Sequence, residues 1–436
     1  MKSLTSFQGI VLMVFGVAAL IGLFVFASYT SKGGGGSTVG TVVIWGTLPQ
    51  NDMNNALAAA SQTSQTLKGV SYVQKDESSL PADLAAAIAT GHAPDLVLAS
   101  QEDLLSLAPL LTPVPLTTLS ARSFTSAFIA GGSIYTAPQG AGYYGVPFLV
   151  DPLSLFFNRA ILSSAGIAKP PASWEAITGL VPQVATLTPA RAVTRSFIAL
   201  GSYANVHDAR GILSALFLQT GVPVTTPSAS GAVVASLGQT GGTGTPPGEA
   251  VLNFYTQFAD PSKVSYNWNA SLPDSQQAFL SGDLALYLGY ASEARYLAAA
   301  NPNLSFDMAP VPQPATATNK ADYGLIYAFM APRGAANASG AYQAAVLLTN
   351  TAEENAAAAA TGLAPASLTA LSSAPTDPIL ATAYSEALYS VGWLSPAPAA
   401  TDQAFSSMIT SVTSGSANAL NALSATAQSL NALLPQ

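Results

Sequence analysis

Few side chains in this sequence have the chemistry that covalent catalysis or metal binding requires. The 436 residues include no cysteine and only two histidines, His92 and His207. The histidines lie far apart and show neither HxxxH nor HxH spacing, so the sequence predicts no zinc site and no histidine-based catalytic site. The absence of cysteine also excludes disulfides, thiol nucleophiles and lipid attachment through an N-terminal cysteine.

The carboxylates offer one enzymatic alternative. Glu102 and Asp151 could serve as the two acids of a glycan-cleaving enzyme, whose carboxyl groups lie about 5 to 9.5 Å apart. Nothing in the sequence pairs them, and no nucleophile elbow or phosphate-binding loop is present. We therefore predict a protein without cofactor or catalytic activity. A surface enzyme acting on glycans and a structural surface protein are the alternatives.

Polar and aromatic side chains follow two apolar runs near the start of the folded region. The runs TVVIW and DLVLA are typical of buried strands. Trp45 and Thr47 stand at the carboxyl end of the first, and Gln101 and Glu102 at the end of the second. Open α/β sheets bind ligands at this edge, so we predict that these residues contact a ligand. Packing in the core is the alternative, above all for Trp45.

The elements around these runs alternate between strand and helix. Helical patterns cover residues 53–67 and 82–89, and a further strand pattern covers residues 70–73. The order strand, helix, strand, helix, strand predicts a parallel sheet with helices on both faces.

A second α/β region begins near residue 151. In chain order we predict helices at 153–165, near 173–175 and at 212–220, strands at 284–288 and 323–330, and helices at 341–360 and 401–434. Residues 225–248 are predicted to form a surface loop that contains some helix, and residues 310–320 a linker.

Length and charge restrict the architecture and the partners. Single hydrophobic cores stop growing near roughly 250 to 300 residues, so a chain of 436 residues is expected to form two lobes or domains. Charged residues make up only 8% of the chain, and its net charge is −8. Nucleic acids are bound by clustered Lys and Arg, and the basic residues here are scattered. Nucleic acid is therefore excluded as a partner.

The N-terminal segment predicts export and attachment to a membrane. Residues 10–27 form an uninterrupted apolar run, which spans about 27 Å as a helix and matches the hydrocarbon core of a bilayer. We predict that residues 1–31 are a retained single-pass anchor and that 32–40 are a glycine-rich linker. A cleaved signal peptide is the alternative. In either case the folded region lies on the extracytoplasmic side.

Several segments, in this order, resemble the family 1 extracellular solute-binding proteins, which include maltose-binding protein. The third-strand segment ATGHAPDLVLAS is similar to the family's A-x-G-x-x-PD pattern. The similar segments are residues 41–45 and 89–100, 143–166 (YYGVPFLVDPLSLFFNRAILSSAG), 170–177 (PPASWEAI) and 278–297 (AFLSGDLALYLGYASEARYL). The chain departs from the family pattern in lacking a lipid-attachment cysteine and in carrying few charges.

The resemblance implies a type II periplasmic-binding-protein fold with two α/β lobes joined by crossing hinge strands. Lobe 1 comprises residues 41–150 and about 323–370, and lobe 2 comprises residues 151–322 and about 371–436. The implied function is that of a monomeric receptor of an ABC importer, which captures a solute, most simply a sugar, and delivers it to membrane permease subunits.

The same resemblance implies further ligand-binding residues. Asp151 stands where the family turns from lobe 1 to lobe 2, and its carboxylate can accept two sugar hydroxyl groups. Tyr290 stands where the family often carries an aromatic ring that stacks on a pyranose. Tyr203 and Asn205 resemble a lobe 2 segment that contacts sugars, and Trp393 lies near a late aromatic of the cleft. Turn formation, core packing or plain solvent exposure are the alternatives.

Overall fold

The computed structural model describes residues 38–228, 232–238 and 245–434. Its strands are β1 (Val42–Gly46), β2 (Val70–Gln74), β3 (Leu96–Ser100), β4 (Thr136–Ala137), β5 (Gly142–Tyr143), β6 (Gly145–Asn158), β7 (Thr186–Leu187), β8 (Val193–Ile198), β9 (Thr225–Pro227), β10 (Val233–Ala235), β11 (Leu284–Tyr290), β12 (Phe306–Ala309), β13 (Asp322–Met330), β14 (Ala364–Pro365) and β15 (Ser390–Val391). Its helices are α1 (Gln50–Thr63), α2 (Leu80–Ala89), α3 (Leu104–Leu107), α4 (Ala121–Ala127), α5 (Arg159–Ser164), α6 (Trp174–Val184), α7 (Ala209–Gln219), α8 (Pro247–Thr256), α9 (Ser275–Ser281), α10 (Glu293–Ala300), α11 (Ala338–Leu348), α12 (Thr351–Thr361), α13 (Leu368–Leu371), α14 (Pro378–Ala387), α15 (Pro398–Thr413) and α16 (Ala419–Leu433).

Lobe 1 is built on the parallel strands that the alternating pattern predicts. β1 lies between β2 and β3 and runs parallel to both. Val42 and Ile44 are fully buried, while Val43 and Trp45 are partly exposed, because successive side chains of a strand point to opposite faces.

Two long strands are shared by both lobes. β6 pairs with β13 along its first part and with β11 and β12 along its second part. The predicted lobe boundary at residue 150 falls inside β6, and the one near residue 323 falls at the start of β13. Every residue of β6 except Phe157 is buried, as expected for a strand covered on both faces. β6 and β13 are therefore the crossing strands of a two-lobed α/β fold.

Lobe 2 extends the same sheet beyond β6. β11 runs antiparallel to β6 and parallel to β8, and β7 closes this end of the sheet against β8. The apolar run at 284–288, predicted to be a strand, forms most of β11 and is buried.

The predicted helix over residues 153–165 is wrong in its first half. The chain stays extended in β6 up to Asn158, and only Arg159–Ser164 is helical. Leu155 pairs with Leu288 on one side and with Ala309 on the other. The backbone hydrogen bonds on both edges of the strand outweigh the intrinsic helix propensity of leucine, because helix propensity is only a weak influence. Asn158 then caps α5, its Oδ1 accepting a hydrogen bond from the Ile161 N–H at 3.1 Å.

Two other predicted elements differ from the structure. The single helix predicted at 341–360 is divided into α11 and α12, because the backbone of Asn350 is extended, with ψ 150°. The described part of 225–248 forms an antiparallel β9–β10 hairpin, and helix begins only at Pro247. Threonine and valine in these two short strands favour the extended backbone.

The predicted membrane anchor, residues 1–31, lies outside the described residues. None of the helices within 38–228, 232–238 and 245–434 combines the length and the apolar character needed to cross a membrane.

Candidate functional site

The strand directions place the polar strand ends of the two lobes opposite each other. β13 is antiparallel to both β3 and β6, so β3 and β6 run in the same direction. β11 is antiparallel to β6 and therefore points back toward lobe 1. The carboxyl ends of β3 and β11 consequently converge on the space between the lobes, which is where open α/β sheets bind ligands.

Glu102 forms a contact between the lobes. It lies in a short turn of helix that directly follows β3, and it is 1% exposed. Its Oε2 lies 2.8 Å from Nη1 of Arg210 in lobe 2, and its Oε1 accepts a hydrogen bond from the Tyr323 hydroxyl. Burial raises the pKa of Glu102, and the Arg210 guanidinium opposes that rise. The pair holds the two lobes together across the cleft.

Arg210 has further partners within lobe 2. Its Nε lies 3.5 Å from Oδ1 of Asp402, and its Nη1 donates to the Pro398 carbonyl at 3.2 Å. The Tyr203 hydroxyl donates to the same Asp402 oxygen at 2.6 Å. Burial acts to lower the pKa of Arg210, but Glu102 and its other acidic and phenolic neighbours together outweigh burial, and the net shift is upward. Arg210 is therefore a permanent cation between the lobes, and Tyr203, a predicted ligand contact, is joined to it through Asp402.

Tyr290 ends β11 next to this network. It is half-buried, and its backbone N–H donates to Glu293 Oε1 at 2.7 Å. Burial raises its pKa, and the nearby Tyr323 raises it further. A Cβ atom on Gly211 in α7 would lie 2.8 Å from the Tyr290 hydroxyl. Gly211 therefore leaves the space that the tyrosine ring occupies.

Gly211→Ala is expected to displace Tyr290 and to lose the usual benefit of alanine in a helix. Alanine is favoured over glycine in helices by about 1 kcal/mol, whereas crowding a packed site costs about 1 to 3 kcal/mol. Urea unfolding should show that Gly211→Ala is less stable than the parent. Gly179→Ala in α6 is the control, because a Cβ there meets nothing within 4 Å among the described residues. Equal stabilisation by both substitutions would contradict the packing of Tyr290 against Gly211.

Asp151 is buried within β6 and faces α10. Its carboxylate accepts hydrogen bonds from the Ser292 backbone N–H at 3.0 Å and from the Ser292 hydroxyl at 2.6 Å. Burial raises its pKa to about 7, although the two Ser292 bonds oppose the rise. Asp151 therefore fixes the segment that follows Tyr290, and each of its carboxylate oxygens accepts one hydrogen bond from Ser292.

Trp45 and Thr47 lie at the carboxyl end of β1 and are both half-buried. The ammonium group of Lys75 lies 3.9 Å above the centre of the Trp45 ring, which is a cation–π arrangement. Thr47 donates its backbone N–H to the Leu98 carbonyl at 3.2 Å. Both side chains retain exposed surface at the carboxyl edge of the lobe 1 sheet.

Three predicted site residues are held by protein contacts instead. Gln101 is fully buried, donates to the Gly324 carbonyl at 3.0 Å and accepts from the Ile326 N–H at 2.6 Å. The Asn205 amide donates to two carbonyl groups of a lobe 2 loop, each at 2.9 Å. The Trp393 indole donates to Ser214 at 2.9 Å and stacks on a core phenylalanine. These residues stabilise the walls of the cleft.

Asp103 is a buried acid near the cleft that no sequence pattern predicted. It is 3% exposed, and among the described residues its Oδ2 has no hydrogen-bond partner. Burial, with repulsion from Glu77 and Glu102, raises its pKa to about 8. Its position directly after Glu102, at the end of the same strand, is the sequence feature that could have predicted it as a site residue.

A cavity of about 760 Å³ lies between segments of the two lobes. Residues from 130–139 of lobe 1 line it together with Leu218, 223–227 and 232–233 of lobe 2, and Trp393 lies at its wall. Its described lining residues include no Asp, Glu, Lys or Arg. Because Gly392 packs against the Gln101 side chain, the cavity borders the turn that carries Glu102. The space between the lobes therefore contains the charged residues Glu102 and Arg210 and, separately, a cavity whose described lining is uncharged.

The sequence was compared with known protein families. The model for bacterial extracellular solute-binding proteins matches residues 55–382. The chain belongs to this family. The match extends over both crossing strands and confirms the resemblance seen in the motifs. A search of curated protein sequences gave no significant match for this solute-binding protein.

Solved structures with the same fold include several sugar-binding proteins. The cyclic alpha-maltosyl-1,6-maltose binding protein of Arthrobacter globiformis has a TM-score of 0.72 at 17% identity, over 90% of this chain and 98% of that one. A cyclo/maltodextrin-binding protein complexed with maltotetraose also has a TM-score of 0.72 at 17% identity, over 92% and 98%. The maltose/maltodextrin-binding domain MalE of Bdellovibrio bacteriovorus, bound to maltotriose, has a TM-score of 0.64 at 14% identity, over 89% and 98%. This similarity shows that the solute-binding protein shares their two-lobed fold.

Proposed function

We propose that this solute-binding protein is the carbohydrate receptor of an ABC importer, with a neutral sugar or oligosaccharide as its solute. The observation that carries the proposal is the uncharged cavity between the lobes, whose Gly392 packs against Gln101, the residue before Glu102. Neutral hydroxyl groups suit both parts of the cleft, because they can donate to carboxylates and accept from a guanidinium. The sugar ligands of the structurally similar proteins support the same solute class.

The predicted ligand-binding residues divide into two groups under this proposal. Trp45, Thr47, Glu102, Tyr203 and Tyr290 lie at the cleft edge with exposed surface or with partners that a sugar can replace. The proposed roles are hydrogen bonding for Glu102 and Tyr203 and stacking for Trp45 and Tyr290. The remaining four are held by protein contacts, so we propose that they support the site without touching the solute; they are Gln101, Asp151, Asn205 and Trp393. Trp393 also forms part of the cavity wall.

A thermal-shift screen tests the solute class. Neutral oligosaccharides should raise the unfolding temperature of the full-length chain, because a ligand at 100 times its dissociation constant adds about 2.7 kcal/mol of stability. Amino acids and inorganic anions serve as negative controls. A screen in which oligosaccharides give no shift while a charged solute does would overturn the carbohydrate assignment.

We further propose that the protein binds its solute without altering it. Asp151 is buried and held by Ser292, so of the two candidate acids only Glu102 is left to contact the solute, and glycan hydrolysis requires a pair of carboxyl groups. The sugar found in the screen should therefore be recovered intact after prolonged incubation. Glycan hydrolysis that is abolished by Asp151→Asn would contradict a pure receptor.

The attachment to a membrane is part of the proposal. Residues 10–27 form an apolar run of the length of a bilayer core, so we propose that the folded region is tethered on the extracytoplasmic side, next to its permease subunits. Intact-mass measurement of the native protein should find residues 1–31 still attached. A mature chain that begins near Ser28 would instead identify residues before it as a cleaved signal peptide.

A further inference from the structure

Three side chains with metal-ligand chemistry meet in lobe 2 at the carboxyl end of β11. His207, Asp208 and Glu293 each contribute one nitrogen or oxygen atom, and these atoms lie within 4.8 Å of one another. His207 and Asp208 directly precede α7, and Glu293 is the first residue of α10. The two segments are far apart in sequence, which is why histidine spacing alone predicts no metal site.

The geometry of His207 suits a metal ligand. Its Nε2 lies 4.0 Å from Glu293 Oε2, and its Nδ1 lies 3.8 Å from Asp274 Oδ2. Tetrahedral zinc binds nitrogen and oxygen ligands at about 2.0 to 2.2 Å, which places two ligand atoms about 3.4 Å apart, so a small side-chain shift would bring His207 and Glu293 to this separation. Metal-bound histidines commonly direct their second nitrogen to a carboxylate, as His207 does toward Asp274. The side chain is 41% exposed and accessible to an ion from solvent.

The two carboxylates differ in how the protein supports them. Glu293 accepts hydrogen bonds from Gln276 Nε2 at 2.6 Å, from the Tyr290 N–H at 2.7 Å and from the Tyr287 hydroxyl. Asp208 Oδ2 is shielded from solvent, and among the described residues it has no hydrogen-bond partner. A shielded carboxylate oxygen without a partner is unfavourable, particularly beside a second carboxylate. A cation bound between the two would supply the missing partner.

We propose that His207, Asp208 and Glu293 bind a divalent cation, with Zn²⁺ as the ion that fits the donor set. One imidazole and two carboxylates form a mixed nitrogen and oxygen set, which suits zinc, whereas calcium takes six to eight oxygen ligands. The ion would join the start of α7 to the start of α10. These helices carry or adjoin Arg210 and Tyr290, so the ion would fix the lobe 2 wall of the cleft.

Zinc titration of the full-length chain, first stripped with EDTA, tests the site by calorimetry. The parent should bind one Zn²⁺ per chain at this site, and His207→Ala should lower the affinity at least about tenfold because it removes the nitrogen ligand. His92→Ala is the matched control, since His92 is exposed and is the only other histidine in the chain. It should bind zinc like the parent. Asp208→Asn should also weaken binding while leaving the Glu293 hydrogen bonds in place.

The outcomes separate this site from adventitious binding. Zinc binding by His207→Ala with the affinity of the parent, or no binding by the parent, would overturn the proposal. Calcium is the second probe, and thermal stabilisation by calcium that persists in His207→Ala would show an oxygen-only site and would also overturn it. Because no sugar is present, the result is independent of the proposed carbohydrate function.

Discussion

Glu102→Ala is expected to open the cleft of the protein without ligand. Glu102 is buried and its Oε2 lies 2.8 Å from Arg210 Nη1, so the substitution removes an ion pair that bridges lobe 1 and lobe 2. Breaking a buried pair costs about 3 to 5 kcal/mol, which is an upper bound here because Arg210 regains water when the lobes separate. Each 1.4 kcal/mol changes the ratio of closed to open forms about tenfold. Small-angle scattering should show a larger radius of gyration for the variant.

Asp402→Ala is the matched control for this experiment. Asp402 also contacts Arg210, at 3.5 Å, but both residues lie in lobe 2, so the contact does not bridge the cleft. This variant should keep the radius of gyration of the parent. A Glu102→Ala protein as compact as the parent would show that the crossing strands alone set the lobe positions. Opening by both variants would instead indicate that Arg210 is held mainly from within lobe 2.

Short apolar runs in the sequence correctly predicted several strands of the sheet. β1, β3 and β11 are short apolar runs, and each is a buried strand in the structure. The resemblance to solute-binding proteins was carried by short motifs in a fixed order, and the family match confirms it. The helix predicted at 153–165 failed because the LSLFF segment has no strict alternation, and only pairing with β11 and β12 decides its conformation.

The site was predicted less completely, because its contacts join residues distant in sequence. Strand-end reasoning predicts that Glu102 contacts the ligand, but it gives no hint of Arg210, which pairs with Glu102 from a helix of the other lobe and has no motif of its own. Gln101 stands at the same strand end, yet the adjacent β13 backbone engages its side chain. One position along the chain thus separates a residue at the cleft from a residue of the hinge. Sequence alone does not resolve that difference.

Two buried acids, Asp322 and Glu386, lie in and beside the hinge strand β13. Asp322 begins β13 and is fully buried, and among the described residues neither of its carboxyl oxygens has a hydrogen-bond partner. Burial, with repulsion from Glu386 in α14, raises the pKa of Asp322 well above its ordinary value. Burial raises the pKa of Glu386 to about 8, although Ser154, Val311 and Lys320 oppose the rise. Both acids are therefore protonated in the folded protein at neutral pH.

The protein is expected to lose stability as the pH rises from about 5 to 8. At low pH both acids are protonated in the folded and unfolded chains and contribute nothing to the pH dependence. Above an unfolded pKa of about 4, the unfolded chain releases these protons while the folded chain keeps them. Each acid then lowers the unfolding free energy by about 1.4 kcal/mol per pH unit until the pH reaches its folded pKa, which for Glu386 is about 8. Urea unfolding at several pH values measures this slope.

Asp322→Asn should flatten the pH dependence, because the amide replaces a buried acid of nearly the same shape and does not ionise in the unfolded chain. The variant should therefore gain stability relative to the parent as the pH rises, with the largest difference near pH 8. Asp377→Asn is the matched control, since Asp377 is exposed and caps α14, a role that asparagine fills equally well. Its slope should equal that of the parent. If Asp322→Asn also keeps the parental slope, Asp322 does not hold its proton in the folded protein, and the hinge must accommodate a buried carboxylate instead.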